Sequence, residues 1–196
     1  MRRIRMRCRR YPTRWVSSLV AVGLMVSTVG QAQEPRIPPV ESASGINITR
    51  TLAHHPDLSE AWLTFARYVL GNSTLPPRER ELLILRIGFL LGADYEWGQH
   101  TRIGREAGLT DVEIQRITEG PDAVGWSSFD RTLLRAVDEL RRDAEISDTT
   151  WAELAARYDT KQLMDVVFTV GQYNLVSMAL KTFRVPLDEG VTGIPR

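Results

Sequence analysis

The sequence predicts an all-α protein with a single domain, and three observations carry this prediction. The 196 residues are 43% apolar and 25% charged, which is the composition of a globular protein rather than of a disordered chain. After residue 50, apolar residues recur at three- and four-residue spacings, which is typical of helices. No run of strand length alternates apolar and polar residues.

The first 32 residues predict a secretory signal peptide. Seven Arg and no acidic residue lie in residues 1–14, a mostly apolar stretch covers residues 15–29, and Gly30 and Ala32 put small residues at the −3 and −1 positions of a cleavage site. The apolar stretch is shorter than the roughly 20 residues of a membrane span. We therefore expect cleavage near Ala32 and a periplasmic or secreted protein that does not bind the membrane. An uncleaved anchor or a misassigned start codon would be the alternatives.

The rest of the chain, residues 33–196, is acidic and has no cysteine. It contains 18 Lys and Arg against 24 Asp and Glu, a net charge of −6. Because proteins bind nucleic acids by placing Lys and Arg on phosphates, this balance argues against a nucleic-acid partner. The only cysteine of the sequence, Cys8, lies in the predicted signal peptide. The mature chain therefore has no thiol for catalysis and none for a disulfide.

Three segments follow the predicted signal peptide. Residues 33–50 are rich in Pro, Ser and Gly and predict an extended arm, residues 51–187 predict the helical domain, and residues 188–196 predict a tail. The predicted helices of the domain cover residues 57–70, 77–91, 95–107, 110–118, 127–142, 147–158 and 160–183.

Turn and capping residues set the boundaries of these helices. Pro77 can begin the second helix, because a Pro at the first helical position loses no needed N–H. Gly108 ends the third helix, and Thr110 with Glu113 forms a capping box for the fourth. The Gly-Pro pair at residues 120–121 breaks the chain before the fifth helix, and serines cap the next two.

The pattern of apolar residues distinguishes surface helices from buried ones. Residues 57–70 carry one apolar stripe, which predicts an amphipathic helix. Residues 77–91 are apolar nearly all round, which predicts a central buried helix that only Glu81 and Arg86 interrupt. Residues 160–183 predict a long last helix whose apolar middle contains a few polar side chains.

Two acidic residues and a histidine form the candidate catalytic group. Glu96 and His100 are four residues apart on one predicted helix, so they share a face. A carboxylate there can orient the imidazole while the other ring nitrogen points toward a ligand, an arrangement that suits proton transfer. Glu81, on the neighbouring buried helix, is the second candidate carboxylate. A structural Glu–His pair on the protein surface is the alternative interpretation of the spacing.

An ordered set of short motifs resembles the carboxymuconolactone decarboxylase family, which includes the AhpD-like alkylhydroperoxidases. The motifs are Arg-Glu-Leu-Leu-Ile-Leu-Arg at 80–86, Tyr-Glu-Trp at 95–97 with His100, Ala-Gly-Leu-Thr at 107–110 and Glu-Ile at 113–114. The resemblance covers roughly residues 62–185 and implies an AhpD-like helical bundle. It also implies a homo-oligomer, a trimer or a hexamer, because subunits of this family generally assemble in that way.

The resemblance also implies which chemistry this chain has lost. In the thiol peroxidases of the family, a Glu is followed after eleven residues by a Cys, after two more by a second Cys, and after three more by a His. Counted back from His100, the Glu matches Glu81, whereas the two Cys positions hold Ala93 and Glu96. Because peroxide reduction needs one thiol to attack and another to resolve, the pattern argues against a thiol peroxidase.

What remains resembles the cysteine-free, acid–base members of the family. The resemblance implies a lyase, decarboxylase or hydrolase-type enzyme that acts on a small carboxylate or lactone without cofactor or metal. His100 would be the general acid or base, Glu96 would orient it or share its proton, and Glu81 would be the second carboxylate of the relay. The alternatives are a non-catalytic binding or assembly protein and a peroxidase that borrows an external thiol.

Five further residues are candidates for substrate binding. Tyr95 and Trp97 would form walls of the pocket, unless they only pack in the core. Arg86 would bind a substrate carboxylate through two hydrogen bonds, or else pair with a nearby Asp or Glu. Gln172 and Tyr173 lie in the apolar part of the last helix, where polar groups need partners, so they would line the pocket or a subunit interface.

Overall fold

A computed structural model describes residues 33–195, and the elements found there are helical. The predicted signal peptide, with Cys8 in it, lies outside the described residues. The described residues form eight α-helices, which are α1 (Asn47–Leu52), α2 (Pro56–Arg67), α3 (Pro77–Leu90), α4 (Asp94–Glu106), α5 (Asp111–Glu119), α6 (Ser128–Asp143), α7 (Asp148–Ala155) and α8 (Thr160–Phe183). No strand occurs among the described residues, so the all-α prediction is confirmed.

The predicted buried helix is the centre of the molecule. Helix α3 packs against α4, α5, α6 and α8, and every residue from Glu79 to Gly88 is buried. A helix can be apolar nearly all round only if other elements cover every side of it, which is what these four neighbours do. The side chains from Leu82 to Leu85 are completely inaccessible to solvent.

The helix termini follow the capping signals in the sequence. Thr110 and Glu113 form the expected capping box at the start of α5, and Ser127 and Ser147 cap α6 and α7 through their hydroxyls. Asp159 forms a second capping box at the start of α8. Each of these side chains satisfies backbone N–H groups that have no partner inside the helix.

The end of α2 differs from the prediction, which continued the α-helix to residue 70. The α-helix ends at Arg67, and a π-helical turn covers Tyr68–Asn72. Asp165 of α8 accepts hydrogen bonds from the Tyr68 hydroxyl at 2.9 Å and from the backbone N–H of Thr74 at 2.6 Å. This buried carboxylate thus holds both the first residue of the turn and the chain just after it. The spacing of apolar residues near the turn cannot predict a contact with Asp165, which lies far along the chain.

The predicted arm and tail are joined to the helical domain. Helix α1 begins within the segment that the sequence predicted as wholly extended and continues two residues beyond it, and Ile48 and Leu52 of α1 are buried. The backbone N–H of Asn47 donates to Asp188 at 2.8 Å, and the Asn47 amide donates to the carbonyl of Pro186 at 3.1 Å. Contacts across about 140 residues of chain therefore hold α1 and the C-terminal segment together.

Helix α8 is the one described helix that is long and apolar enough, by length and composition, to cross a membrane. Its most apolar window is 56% buried within the protein, as expected for a core helix. The remaining apolar surface includes Met164, Phe168, Leu175 and Met178, which are about half exposed. These four residues recur at three-, four- and seven-residue spacings and define an exposed apolar face of α8.

Gly98 on α4 allows the C-terminal segment to pack closely. A Cβ atom there would lie 2.6 Å from the carbonyl oxygen of Thr192 and would overlap the side chain of Val191. We predict that Gly98→Ala displaces this segment and lowers the free energy of unfolding by roughly 1–3 kcal/mol, the usual cost of overpacking. Urea denaturation measures this change.

Gly171 on α8 provides the matched control. No atom lies within 4 Å of a Cβ built there, so Gly171→Ala should keep the fold and raise stability by up to about 1 kcal/mol through helix propensity. Equal stability changes in the two variants would contradict the proposed close packing at Gly98.

Candidate active site

The three predicted catalytic residues lie together in the interior. Nδ1 of His100 is 2.6 Å from Oε2 of Glu81, and Nε2 of His100 is 3.3 Å from Oε1 of Glu96. Glu81 is completely buried, and Glu96 and His100 are each about 95% buried. The spacing of four residues thus produces a buried Glu–His pair rather than the surface pair that was the alternative.

The packing of α3 on α4 creates this arrangement. Glu81 near the start of α3 contacts His100 of α4, whereas Gly88 near the end of α3 contacts Glu96, so the two helices run antiparallel. A Cβ atom on Gly88 would lie 3.1 Å from Cγ of Glu96, which is tighter than ordinary packing allows. The missing side chain at Gly88 leaves room for the Glu96 carboxylate beside the imidazole.

Hydrogen bonding fixes the orientation of the imidazole. The Glu81 carboxylate already accepts a hydrogen bond from Nε of Arg80 at 3.2 Å, with which it forms an ion pair. An ionised carboxylate can only accept hydrogen bonds. Nδ1 of His100 therefore carries a hydrogen and donates a hydrogen bond to Glu81. Nε2 is left as the nitrogen that can gain or lose a proton, beside Glu96.

Burial and neighbouring charges raise the pKa of both Glu96 and His100. Burial raises the pKa of Glu96 to about 7, with a smaller lowering by His100 and a further rise from Glu81. Burial alone would lower the pKa of His100, but the charge of Glu96 and the hydrogen bond to Glu81 outweigh it and raise that pKa above its usual value. The pKa of Glu96 therefore lies near neutral, and its carboxylate is 3.3 Å from an imidazole whose own pKa is also raised.

This pair lines a cavity of about 200 Å³. Most of the wall is apolar and comes from α1, α2, α4 and α8. The principal apolar residues are Ile46, Ile48, Trp62, Leu70, Ile103 and Val176. An apolar cavity with a few convergent polar groups is the usual form of a small-molecule site.

Two predicted substrate-binding residues of α8 lie in the cavity wall with unused hydrogen-bonding groups. The side chains of Gln172 and Tyr173 are about 95% buried and have no hydrogen-bond partner among the described residues. The Tyr173 ring meets the His100 ring edge to face, with centroids 4.7 Å apart. Burial raises the pKa of Tyr173 well above 10.0, so its hydroxyl stays protonated and can donate to a ligand.

Tyr95 also lines the cavity, as predicted, but its hydroxyl is already engaged. It donates to Asp188 at 2.5 Å and accepts from the backbone N–H of Ile48 at 3.3 Å. Gln99 donates to the same carboxylate oxygen of Asp188 at 2.5 Å. Asp188 therefore holds two residues of the cavity wall in place. The sequence carries no local signal for this role, because Asp188 lies in the segment predicted as a tail.

Arg86 and Trp97 require a correction, since neither lines the cavity. Arg86 binds both carboxylate oxygens of Asp138, at 2.7 and 2.8 Å, and donates to the carbonyl of Ile117, so its donors serve an ion pair instead of a substrate. Trp97 packs on Phe89 with ring centroids 5.9 Å apart. Successive residues of a helix point about 100° apart, which turns Trp97 away from the side that Glu96 faces.

Other cavity residues were missed although helical spacing could have found them. Gln99 and Ile103 lie within one turn of Glu96 and His100, on the side of α4 that faces the cavity. Trp62 was recognised only as part of an apolar stripe. Among the described residues, no group of three or more His, Cys, Asp or Glu side chains is arranged to hold a metal ion.

The raised pKa of Glu96 predicts a pH-dependent stability. In the folded state Glu96 keeps its proton up to about pH 7, whereas an ordinary Glu has a pKa of 4.5. The free energy of unfolding therefore falls as the pH rises from about 4.5 to about 7. A pKa difference of this size corresponds to a change of roughly 3 kcal/mol in the free energy of unfolding. We predict that Glu96→Gln, which stays neutral, gains stability relative to the wild type by up to that amount between about pH 4.5 and about pH 8.

Urea denaturation across this pH range measures the difference. Glu60→Gln, at an exposed position of α2, serves as the control and should show no such trend. A constant difference between Glu96→Gln and the wild type at every pH would mean that Glu96 is ionised throughout.

Comparison with known proteins agrees with the resemblance seen in the sequence. Residues 56–139, which include Glu81, Glu96 and His100, match the model of the carboxymuconolactone decarboxylase family. No curated protein sequence matches the chain.

Several solved structures share the fold. A protein of unknown function from Agrobacterium tumefaciens has a TM-score of 0.65 at 21% identity, with 70% of this chain and 94% of that chain covered. An uncharacterised peroxidase-related protein from a Silicibacter species has a TM-score of 0.70 at 14% identity, with 82% and 96% covered. The debrominase Bmp8 in complex with 2,3,4-tribromopyrrole has a TM-score of 0.68 at 12% identity, with 81% and 94% covered.

At these identities the likeness shows a common fold and no common activity. The family model and the shared helical fold agree with the motifs around Glu81 and His100. Residues 56–139 therefore match the carboxymuconolactone decarboxylase family, and the described residues have the AhpD-like fold.

Proposed function

We propose that this protein is an acid–base enzyme that transfers a proton at the carbon next to the carbonyl group of a small, largely apolar lactone or organic acid. One observation carries the proposal: the buried carboxylate of Glu96 and the imidazole of His100 lie 3.3 Å apart in the wall of a cavity. A general acid and a general base both work best when their pKa lies near the working pH, and burial has brought Glu96 to that range.

In the chemical step, His100 accepts a proton from the substrate and Glu96 donates one to it. Nε2 of His100 takes a proton from the carbon next to the carbonyl, and the electron pair of that C–H bond forms the double bond of an enol. The proton of Glu96 goes to the carbonyl oxygen, so the enol is neutral, and the opposite charges left on His100 and Glu96 lie next to each other in the cavity wall. In a decarboxylation, the electron pair would come instead from the C–C bond to a departing CO₂, and the Glu96–His100 pair would supply the proton that replaces it.

Two features support acid–base chemistry over thiol chemistry. Residues 33–196 contain no cysteine. Ala93, which stands where the thiol peroxidases of the family carry their first Cys, is buried at the start of α4 and has no reactive group. Two fully buried atoms of residues in the cavity wall, Oε1 of Glu96 and Nε1 of Trp62, have no hydrogen-bond partner among the described residues, which favours a cavity that binds a ligand, because buried polar groups without partners destabilise a protein unless a ligand uses them.

Export and self-association belong to the same proposal. The signal-peptide pattern of residues 1–32 supports a periplasmic or secreted enzyme. The exposed apolar face of α8 supports a homo-oligomer, since contiguous apolar surface of this kind commonly lies in protein interfaces. The resemblance to the family favours a trimer or a hexamer.

Deuterium exchange tests the proton-transfer step without knowledge of the natural substrate. Cyclohexanone, 4-oxocyclohexane-1-carboxylate and γ-butyrolactone all carry protons next to a carbonyl, and NMR in D₂O follows their replacement. We predict that the wild type accelerates exchange of at least one probe, and that His100→Ala and Glu96→Gln each reduce the rate about 100-fold or more, the usual contribution of a general acid or base.

The surface variant Arg105→Gln is the control, because Arg105 is exposed and pairs only with Asp111. Its exchange rate should equal that of the wild type. If His100→Ala and Glu96→Gln fold normally and both retain the wild-type rate, the acid–base proposal is wrong.

A further inference from the structure

Arg102 is the one Arg or Lys side chain among the described residues that line the cavity. It forms no ion pair with any described residue, and its guanidinium makes a single long hydrogen bond, from Nη2 to Oε1 of Gln99 at 3.4 Å. Arg86 and Arg105, by contrast, bind Asp138 and Asp111 at 2.7 Å. A cation beside an apolar cavity with most of its donors unused is suited to bind an anionic group of a ligand.

The helical geometry of α4 separates this cation from the acid–base pair. With about 100° between successive residues, Glu96 and His100 lie at one edge of the side that faces the cavity. Gln99 lies toward the middle of that side, and Tyr95 and Arg102 lie at its other edge. The two edges are separated by a distance on the order of a helix diameter, about 10 Å with side chains included.

Exposure shows where the cavity meets solvent. Arg102, Ile46 and Leu70 are exposed, whereas Glu96 and His100 are almost completely buried. Arg102 therefore stands at the mouth of the cavity, and the acid–base pair stands at its inner end. A charged group of a ligand would keep partial hydration at the mouth, which lowers the free-energy cost of its burial.

Two acidic residues lie near Arg102, and neither pairs with it. Asp188 accepts hydrogen bonds from Tyr95, Gln99 and the backbone of Asn47, and no nitrogen of Arg102 is within ion-pair distance of it. Glu106 is one helical turn further along the exposed surface and forms no ion pair. The guanidinium thus remains available to a ligand.

From this placement we infer that the cavity takes a small molecule with a carboxylate at one end, bound by Arg102 at the mouth, and an uncharged carbonyl at the other end, bound between the acid–base pair and the polar groups of Gln172 and Tyr173. The inference rests on the proposed function for the reacting end. Arg102 takes the role that the sequence had suggested for Arg86. The carboxylate at the mouth anchors the ligand and is not the group that reacts.

Three probes with one ring skeleton separate the two ends of the ligand. 4-Oxocyclohexane-1-carboxylate has both groups, cyclohexanone has only the carbonyl, and cyclohexanecarboxylate has only the carboxylate. NMR titration of the full mature protein measures the Kd of each probe. We expect the first probe to bind more tightly than either of the others, and Arg102→Gln to weaken it about tenfold while leaving cyclohexanone unchanged.

Arg105→Gln, which removes the same charge from the same helix outside the cavity, should leave all three Kd values unchanged. Equal effects of Arg102→Gln and Arg105→Gln would overturn the inference, as would equal binding of cyclohexanone and the keto acid or no binding of either. Failure of the proposed function looks different: the keto acid would bind through Arg102, yet its ring protons would not exchange.

Discussion

The hydrogen bond between Glu81 and His100 is the interaction on which the site depends. Complete burial of a carboxylate is costly unless donors surround it, and the imidazole of His100 and the guanidinium of Arg80 supply them. The same bond sets the register of α3 against α4 and leaves Nε2 of His100 for proton exchange. The position of His100, the orientation of its ring and the nitrogen that carries the hydrogen thus all depend on this one bond. A substitution of Glu81 would affect all three.

Much of the fold and the centre of the site could be predicted because their causes are local. The apolar residues around Leu82 require a fully covered helix, and the four-residue spacing of Glu96 and His100 places them on one face whatever the rest of the chain does. Placing Glu81 beside them needed tertiary information, which came from resemblance to a family with a known fold.

The remaining parts could not be predicted because their causes are distant along the chain. Whether Arg86 meets a substrate or an acid depends on where Asp138 lies, and the role of Tyr95 depends on Asp188, 93 residues away. Trp97 shows a different difficulty. Its neighbours 95 and 96 both face the cavity, yet the helical rotation turns the next side chain to the core, so proximity in sequence misled the interpretation.

Both ends of the described chain support the cavity, since Ile46 and Ile48 near its start line the wall and Asp188 near its end holds Tyr95 and Gln99 of that wall. A ligand that needs this wall binds only when both segments are docked, so its binding free energy also stabilises their docking. Occupied and empty protein should then differ in how readily proteases trim the termini. A protease would therefore cut these segments faster in empty molecules than in molecules with a ligand bound.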